Sequence, residues 1–157
     1  MPRLSLSEHW CCVCLALAMA GCGAQVQPPN PVAPTSTWRV ELTLSGGLVG
    51  AEKVLELSST GHLNSIDKRS NRQVTTQLPA EELVKIFALL VDTSHLQPTG
   101  TPPACRDCFQ YDLDVRMDGQ HFSFRVNDLN MNQAGLTPLV NALTELQDRA
   151  LTGQSQP

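Results

Sequence analysis

Cys105 and Cys108 are the residues whose type and spacing best suit chemistry. They flank Arg106 and Asp107 at the end of a stretch that holds Pro98, Gly100, Pro102 and Pro103. Three chemistries fit such a pair: a structural disulfide, two free thiols, or a redox dithiol. A redox pair wants its first cysteine at a helix N-terminus, where the thiol pKa falls. Here the pair leaves a proline-rich loop and runs into an alternating apolar segment, so a structural disulfide is the expected state in an oxidising compartment. Zinc would need more ligands, and His62, His95 and His121 are scattered without paired spacing. Asp112 and Asp114 share one side of an extended segment, as an acid–base pair would. Arg116 and Arg125 lie close by, so the simpler reading is a solvated charged face. No Gly-x-Ser-x-Gly, phosphate loop or His-Glu-x-x-His occurs in the chain. The expectation is a binding module rather than an enzyme, with no catalytic residue, no metal and no cofactor.

The elements that must position these residues follow from periodicity. Trp38, Val40, Leu42 and Leu44 alternate with Arg39, Glu41 and Thr43, the period of a half-buried strand. Ser45-Gly46-Gly47 ends it, and residues 51–58 resume an extended run with Val54, Leu55 and Leu57. Thr60-Gly61 marks a turn. Residues 62–68 make a third, weaker strand and residues 72–77 a short further one. Pro79 suits the first position of a helix, and Glu81 and Glu82 suit its positive end. Leu83, Ile86, Phe87 and Leu90 then form a helical stripe ending near Asp92.

The clearest element is a hairpin. Phe109, Tyr111, Leu113, Val115 and Met117 alternate with polar residues, and Asp118-Gly119 is a strong two-residue turn signal. A two-residue turn sets Val115 opposite Phe122, Leu113 opposite Phe124, Tyr111 opposite Val126 and Asp112 opposite Arg125. Thr137-Pro138 reads as a cap and first-turn proline. Leu139, Leu143, Leu146 and Ala150 mark the buried face of a second helix. Strands, helix, hairpin, helix in that order predict an α+β domain: an antiparallel sheet of four to five strands with two helices on one face.

The chain has 157 residues and a net charge of −4, so one domain is expected and no basic footprint for nucleic acid is present. Residues 10–20 are a short apolar run, below the ~20 residues a bilayer span needs and suited to a signal peptide. Ala20-Gly21-Cys22 follows and resembles the lipobox of bacterial lipoproteins, with Met19 where a leucine is usual. The resemblance implies cleavage after residue 21 and lipid on Cys22, which would be the chain's contact with a membrane. Two or more acyl chains anchor stably, whereas one binds marginally. Gly23 in place of an aspartate implies the outer membrane, on its periplasmic face, within the bacterial cell envelope. Pro28, Pro29, Pro31 and Pro34 make residues 22–37 a semi-rigid tether, reaching roughly 45 Å in extended polyproline II geometry. The folded domain is expected over residues 38–152, with a disordered tail at 153–157.

Within that domain Leu42-Thr43-Leu44-Ser45-Gly46-Gly47-Leu48-Val49-Gly50 looks like a strand followed by the Ser-Gly-Gly-aromatic-x-Gly loop of the emfourin-like family. Leu78-Pro79-Ala80-Glu81-Glu82-Leu83 looks like that family's helix opening. The segment from Phe109 through Val115, a glycine turn, and Phe124-Arg125-Val126-Asn127-Asp128 looks like its central hairpin. The domain thus resembles emfourin, a small protein inhibitor of protealysin and related thermolysin-like metalloproteases. The resemblance implies a thermolysin-like metalloprotease as partner and Gly46, Gly47, Leu48, Val49 and Gly50 as the binding loop. Leu48 stands where the family has an aromatic residue, and the cysteine loop, lipid anchor and tether are additions. The alternative is a non-enzymatic envelope lipoprotein that binds another partner or scaffolds assembly.

Overall fold

The computed structural model describes residues 36–97 and 100–153. The expected signal peptide, Cys22, the tether up to residue 35 and the tail at 154–157 lie outside the described residues.

Eight elements run in the order β1 (Trp38–Gly46), β2 (Ala51–Ser58), β3 (His62–Asp67), β4 (Arg72–Gln77), α1 (Ala80–Ser94), β5 (Phe109–Met117), β6 (Gln120–Asn127) and α2 (Thr137–Thr152). The strands form one antiparallel sheet ordered β4-β3-β2-β1-β5-β6. The fold is α+β, as the alternation predicts, but the sheet has six strands rather than four to five. All the extended segments of the sequence join it, the short run at 72–77 as the edge strand β4. Arg72–Gln77 has Val74 as its one large apolar residue, so pairing with β3 holds it rather than a buried stripe.

β1 lies near the centre, paired with β2 on one edge and β5 on the other. Leu42 sits between Leu55 and Leu113, and Val40 between Leu57 and Val115. These side chains point to the helix-covered face and are fully or almost fully buried. Leu83, Ile86 and Leu90 of α1 and Leu139, Leu143 and Leu146 of α2 meet them in one core. Burying each such side chain contributes roughly 1.5–3 kcal/mol of transfer free energy. The register of β5 and β6 is the expected one: Tyr111 opposite Val126, Asp112 opposite Arg125, Leu113 opposite Phe124, Val115 opposite Phe122. Asp118 and Gly119 both take positive φ, 49° and 83°, as a primed hairpin turn requires.

Helix ends differ from expectation by a residue or two. Pro79 is the residue before α1, extended at φ −69° and ψ 153°, and its carbonyl accepts from the Glu82 and Leu83 N–H groups. The helix runs past Asp92 to Ser94. The Thr93 and Ser94 hydroxyls donate to the Leu89 and Val91 carbonyls, so the added residues satisfy acceptors of the last turns. Thr137 does not cap α2: Leu136 occupies the cap position, and the Thr137 hydroxyl is buried without a partner. Gly153, expected in the tail, closes α2 in the left-handed region at φ 73°, its N–H donating to the Arg149 carbonyl.

The topology gives the domain two ends. At one lie Thr37, the Ser59-Thr60-Gly61 turn and the Asp118-Gly119 turn; Thr37 and Asp118 exchange hydrogen bonds of 3.0 and 3.2 Å. At the other lie the β1–β2 tip, the β3–β4 turn, the start of β5 and the end of β6.

Candidate functional site

The second end gathers features that are far apart in sequence. β1 closes on Gly46, which pairs with Ala51 on one side and Phe109 on the other. Gly46 and Gly47 take φ of 91° and 68°, a region that L side chains rarely adopt. Space also demands glycine here. A Cβ on Gly46 would lie 2.7 Å from the Cys108 carbonyl oxygen, and one on Gly47 would lie 2.5 Å from the Phe109 ring. The Gly47 N–H donates to the Cys108 carbonyl at 3.0 Å, and the Gly50 N–H to the Gly47 carbonyl at 3.1 Å.

The chain between these glycines points outward. Leu48 is 86% exposed and Val49 62%. Leu48 therefore does not fold back onto the core. The Arg69 guanidinium in the β3–β4 turn donates to the Val49 carbonyl, which steadies the tip from its other side. The Asp67 carboxylate accepts from the Arg69 and Ser70 N–H groups at 3.0 and 3.3 Å. The Ser70 hydroxyl contact is the main cause that holds the Asp67 carboxyl below its usual range.

Cys105 and Cys108 form a disulfide with a Cα–Cα distance of 5.6 Å. Directly after it, the Phe109 N–H donates to one carboxylate oxygen of Asp128 at 2.8 Å, and the Tyr111 hydroxyl donates to the other at 3.1 Å. Burial, the hydrogen bond to Asp128 and its negative charge push the Tyr111 phenol up to about 12. Asn127 is fully buried; its amide donates to the Pro103 carbonyl at 2.7 Å and its side-chain oxygen accepts from the Leu129 N–H at 3.0 Å. The loop after β6 is thereby pinned to the proline-rich loop, and it carries Leu129, 62% exposed. Among the described residues, the three most exposed large hydrophobic side chains are Leu48, Val49 and Leu129. All three stand on loops of this one end.

Gly46, Gly47, Leu48, Val49, Gly50, Cys105 and Cys108 are thus brought together. The roles of Asn127, Asp128 and Arg69 are absent from the sequence reading. An Asn-Asp pair ending a strand is a signal for side-chain-to-backbone turn chemistry, but it does not say which distant backbone will be bound.

The remaining candidates lie elsewhere. Asp112 pairs with Arg125, and Asp114 with His121 at 2.7 Å, on the sheet face that no helix covers. Arg39 pairs with Glu56 at 2.9 Å on the same face. Each aspartate has a cross-strand polar partner, the arrangement of a solvated sheet face. Arg39, Glu41, Asp114 and Arg116 frame a shallow depression of about 380 Å³ there. A groove of about 490 Å³ lies at the opposite end from the tip, lined by Leu63, Val74, Leu78 and Leu146 and floored by the Glu82–Arg149 pair at 2.5 Å. Among the described residues no cluster of three or more His, Cys, Asp or Glu is placed to hold a metal ion. No described helix is long and apolar enough to cross a membrane.

Comparison with models of known protein families finds no match, and comparison with curated proteins finds none either. The likeness to the emfourin-like family rests on the residue motifs alone.

Proposed function

We propose that this protein is a lipid-anchored lipoprotein of the bacterial envelope whose domain binds and inhibits a thermolysin-like metalloprotease through the hairpin at residues 46–50. One observation carries the reading: Leu48, almost fully exposed, on a tip that follows two closely packed glycines, Gly46 and Gly47. A tip of this kind is held in one shape before it meets a partner, so less ordering entropy opposes binding. The glycines let its backbone approach another surface closely. Thermolysin-like enzymes accept a bulky apolar residue just after the scissile bond, and Leu48 supplies one while a loop carbonyl faces the zinc of the enzyme.

A second reading, a scaffold or binder of a different envelope partner, is favoured by Leu129, which extends the exposed apolar surface beyond the hairpin. The deciding experiment is an activity assay of thermolysin-like proteases with the full chain, wild type against Leu48→Asp. Removing the burial of one leucine at roughly 1.5–3 kcal/mol weakens inhibition about tenfold or more. The melting temperature stays within a degree or two, because Leu48 leaves the core untouched. Unchanged inhibition by Leu48→Asp moves the contact away from the tip. No inhibition by the wild type across several such enzymes leaves the second reading.

A further inference from the structure

We propose that the Cys105–Cys108 disulfide is a redox latch on the hairpin at residues 46–50, so that a dithiol reductant loosens the tip and an oxidant resets it. The Cys108 carbonyl is the acceptor for the Gly47 N–H and the atom against which Gly46 packs. The next residue, Phe109, lays its ring on Gly47 and donates its own N–H to Asp128. Cys108 is therefore fixed from two sides: by Asp128 through Phe109, and by Cys105 through the disulfide. Among the described residues, the preceding loop is otherwise tied to the body at Pro103, whose carbonyl accepts from Asn127. Opening the disulfide frees the stretch between Pro103 and Cys108 and removes one of the two holds, leaving Asp128 alone to fix the peptide that carries the Cys108 carbonyl.

Both cysteines are only partly buried, on a loop at the surface of the domain. A thiolate of the dithiol attacks one sulfur of the pair, the Cys–Cys bond breaks, and a mixed disulfide forms. The second thiol of the reductant then displaces the remaining cysteine. Cys105 and Cys108 finish as two thiols, having taken up two electrons and two protons, and the dithiol finishes as a disulfide. The consequence for inhibition rests on the proposed role of the hairpin; the coupling between disulfide and tip does not.

The test is residue-resolved amide hydrogen exchange on the full chain in detergent, in three states: oxidised, reduced with dithiothreitol, and reoxidised with oxidised glutathione. The Cys105→Ser/Cys108→Ser double variant serves as a permanently open form. The expected result is faster exchange at Gly47, about threefold to tenfold, the scale of one weakened hydrogen bond. Val40 and Leu42 at the sheet centre keep their rates, and reoxidation restores Gly47. Unchanged exchange at Gly47 while residues 105–108 loosen overturns the latch. Equal acceleration at Val40 and Leu42 overturns it as well, because the disulfide is then a staple of the whole domain. If Gly47 alone loosens and protease inhibition stays the same, the latch stands and the hairpin is not the inhibitory contact.

Discussion

Asp128 holds two partners at once, the Phe109 N–H and the Tyr111 hydroxyl, and so sets where β5 begins relative to the tip it supports. Its charge leaves a titration signature. The folded Tyr111 phenol is pushed up to about 12 from an ordinary 10.0, first by burial and then by Asp128. The neutral form is the one the fold prefers, so this contribution to stability is complete below pH 10 and is lost between pH 10 and about 12. Tyr111 is the only tyrosine in the chain, so phenolate absorbance reports it alone. Asp128→Asn keeps an acceptor and removes the charge. Its phenolate titration should shift down toward pH 10 relative to the wild type. Coincident curves would mean that burial by itself sets the value. Leu48 and Leu44 show the same residue type in two situations four positions apart. Leu44 is 8% exposed and Leu48 is 86% exposed, because the chain turns over at Gly46 and Gly47 between them.

The β1–β2 hairpin separates the two reasons for glycine. Gly47 has both a positive φ and a ring in the way, whereas Gly50 has φ 61° and nothing within 4 Å of an added Cβ. Gly50→Ala should cost about 1–2 kcal/mol, the strain of a left-handed non-glycine residue. Gly47→Ala adds the displacement of Phe109 and should cost about 2–4 kcal/mol, within the range of strain plus overpacking. Equal losses in melting experiments would show that the Phe109 ring moves aside freely. Such elements were legible in the sequence to different degrees, for physical reasons. The β5–β6 pair carries strict alternation, a primed turn and opposite charges at Asp112 and Arg125, three signals with one answer, and its register follows. β4 carries none of these, since an edge strand that takes its hydrogen bonds from β3 needs no apolar stripe. Thr137 has the chemistry of a cap, yet Leu136 takes that position because its side chain is fully buried and fixes where α2 starts. The glycines of the tip and the two cysteines each stood out by type. Their union did not, because it depends on a backbone contact from Gly47 to Cys108 across some 60 positions of chain.

At the scale of the whole molecule, Thr37 and the tip stand at opposite ends of the domain. Thr37 joins the domain beside the Asp118-Gly119 turn, and β1 carries the chain from there to Gly46 in nine residues. At about 3.3 Å per residue the tip stands roughly 25–30 Å beyond the point of attachment. If Cys22 bears lipid, as proposed, residues 23–36 rise from the bilayer into the near end of the domain, and Leu48 faces the aqueous side. Cys22→Ser should then yield protein without acyl mass that washes off membranes in carbonate. A mutant that stays bound, together with a wild type that carries no acyl mass, would remove the anchor. The same arrangement makes a single added cysteine a clean reporter. Of the six cysteines, three lie in the expected leader, Cys22 would be acylated, and Cys105 and Cys108 are joined to each other. In vesicles with an acceptor dye on the lipid headgroups, a donor on Gln120→Cys should transfer energy more strongly than one on Leu48→Cys. Gln120 starts β6 at the tether end, so the two positions bracket the long axis of the sheet. Equal transfer from both positions would mean that the domain lies on its side, with the tip no farther from the lipid than its attachment. A protease acting from the aqueous phase would then meet a flank of the domain before it met Leu48.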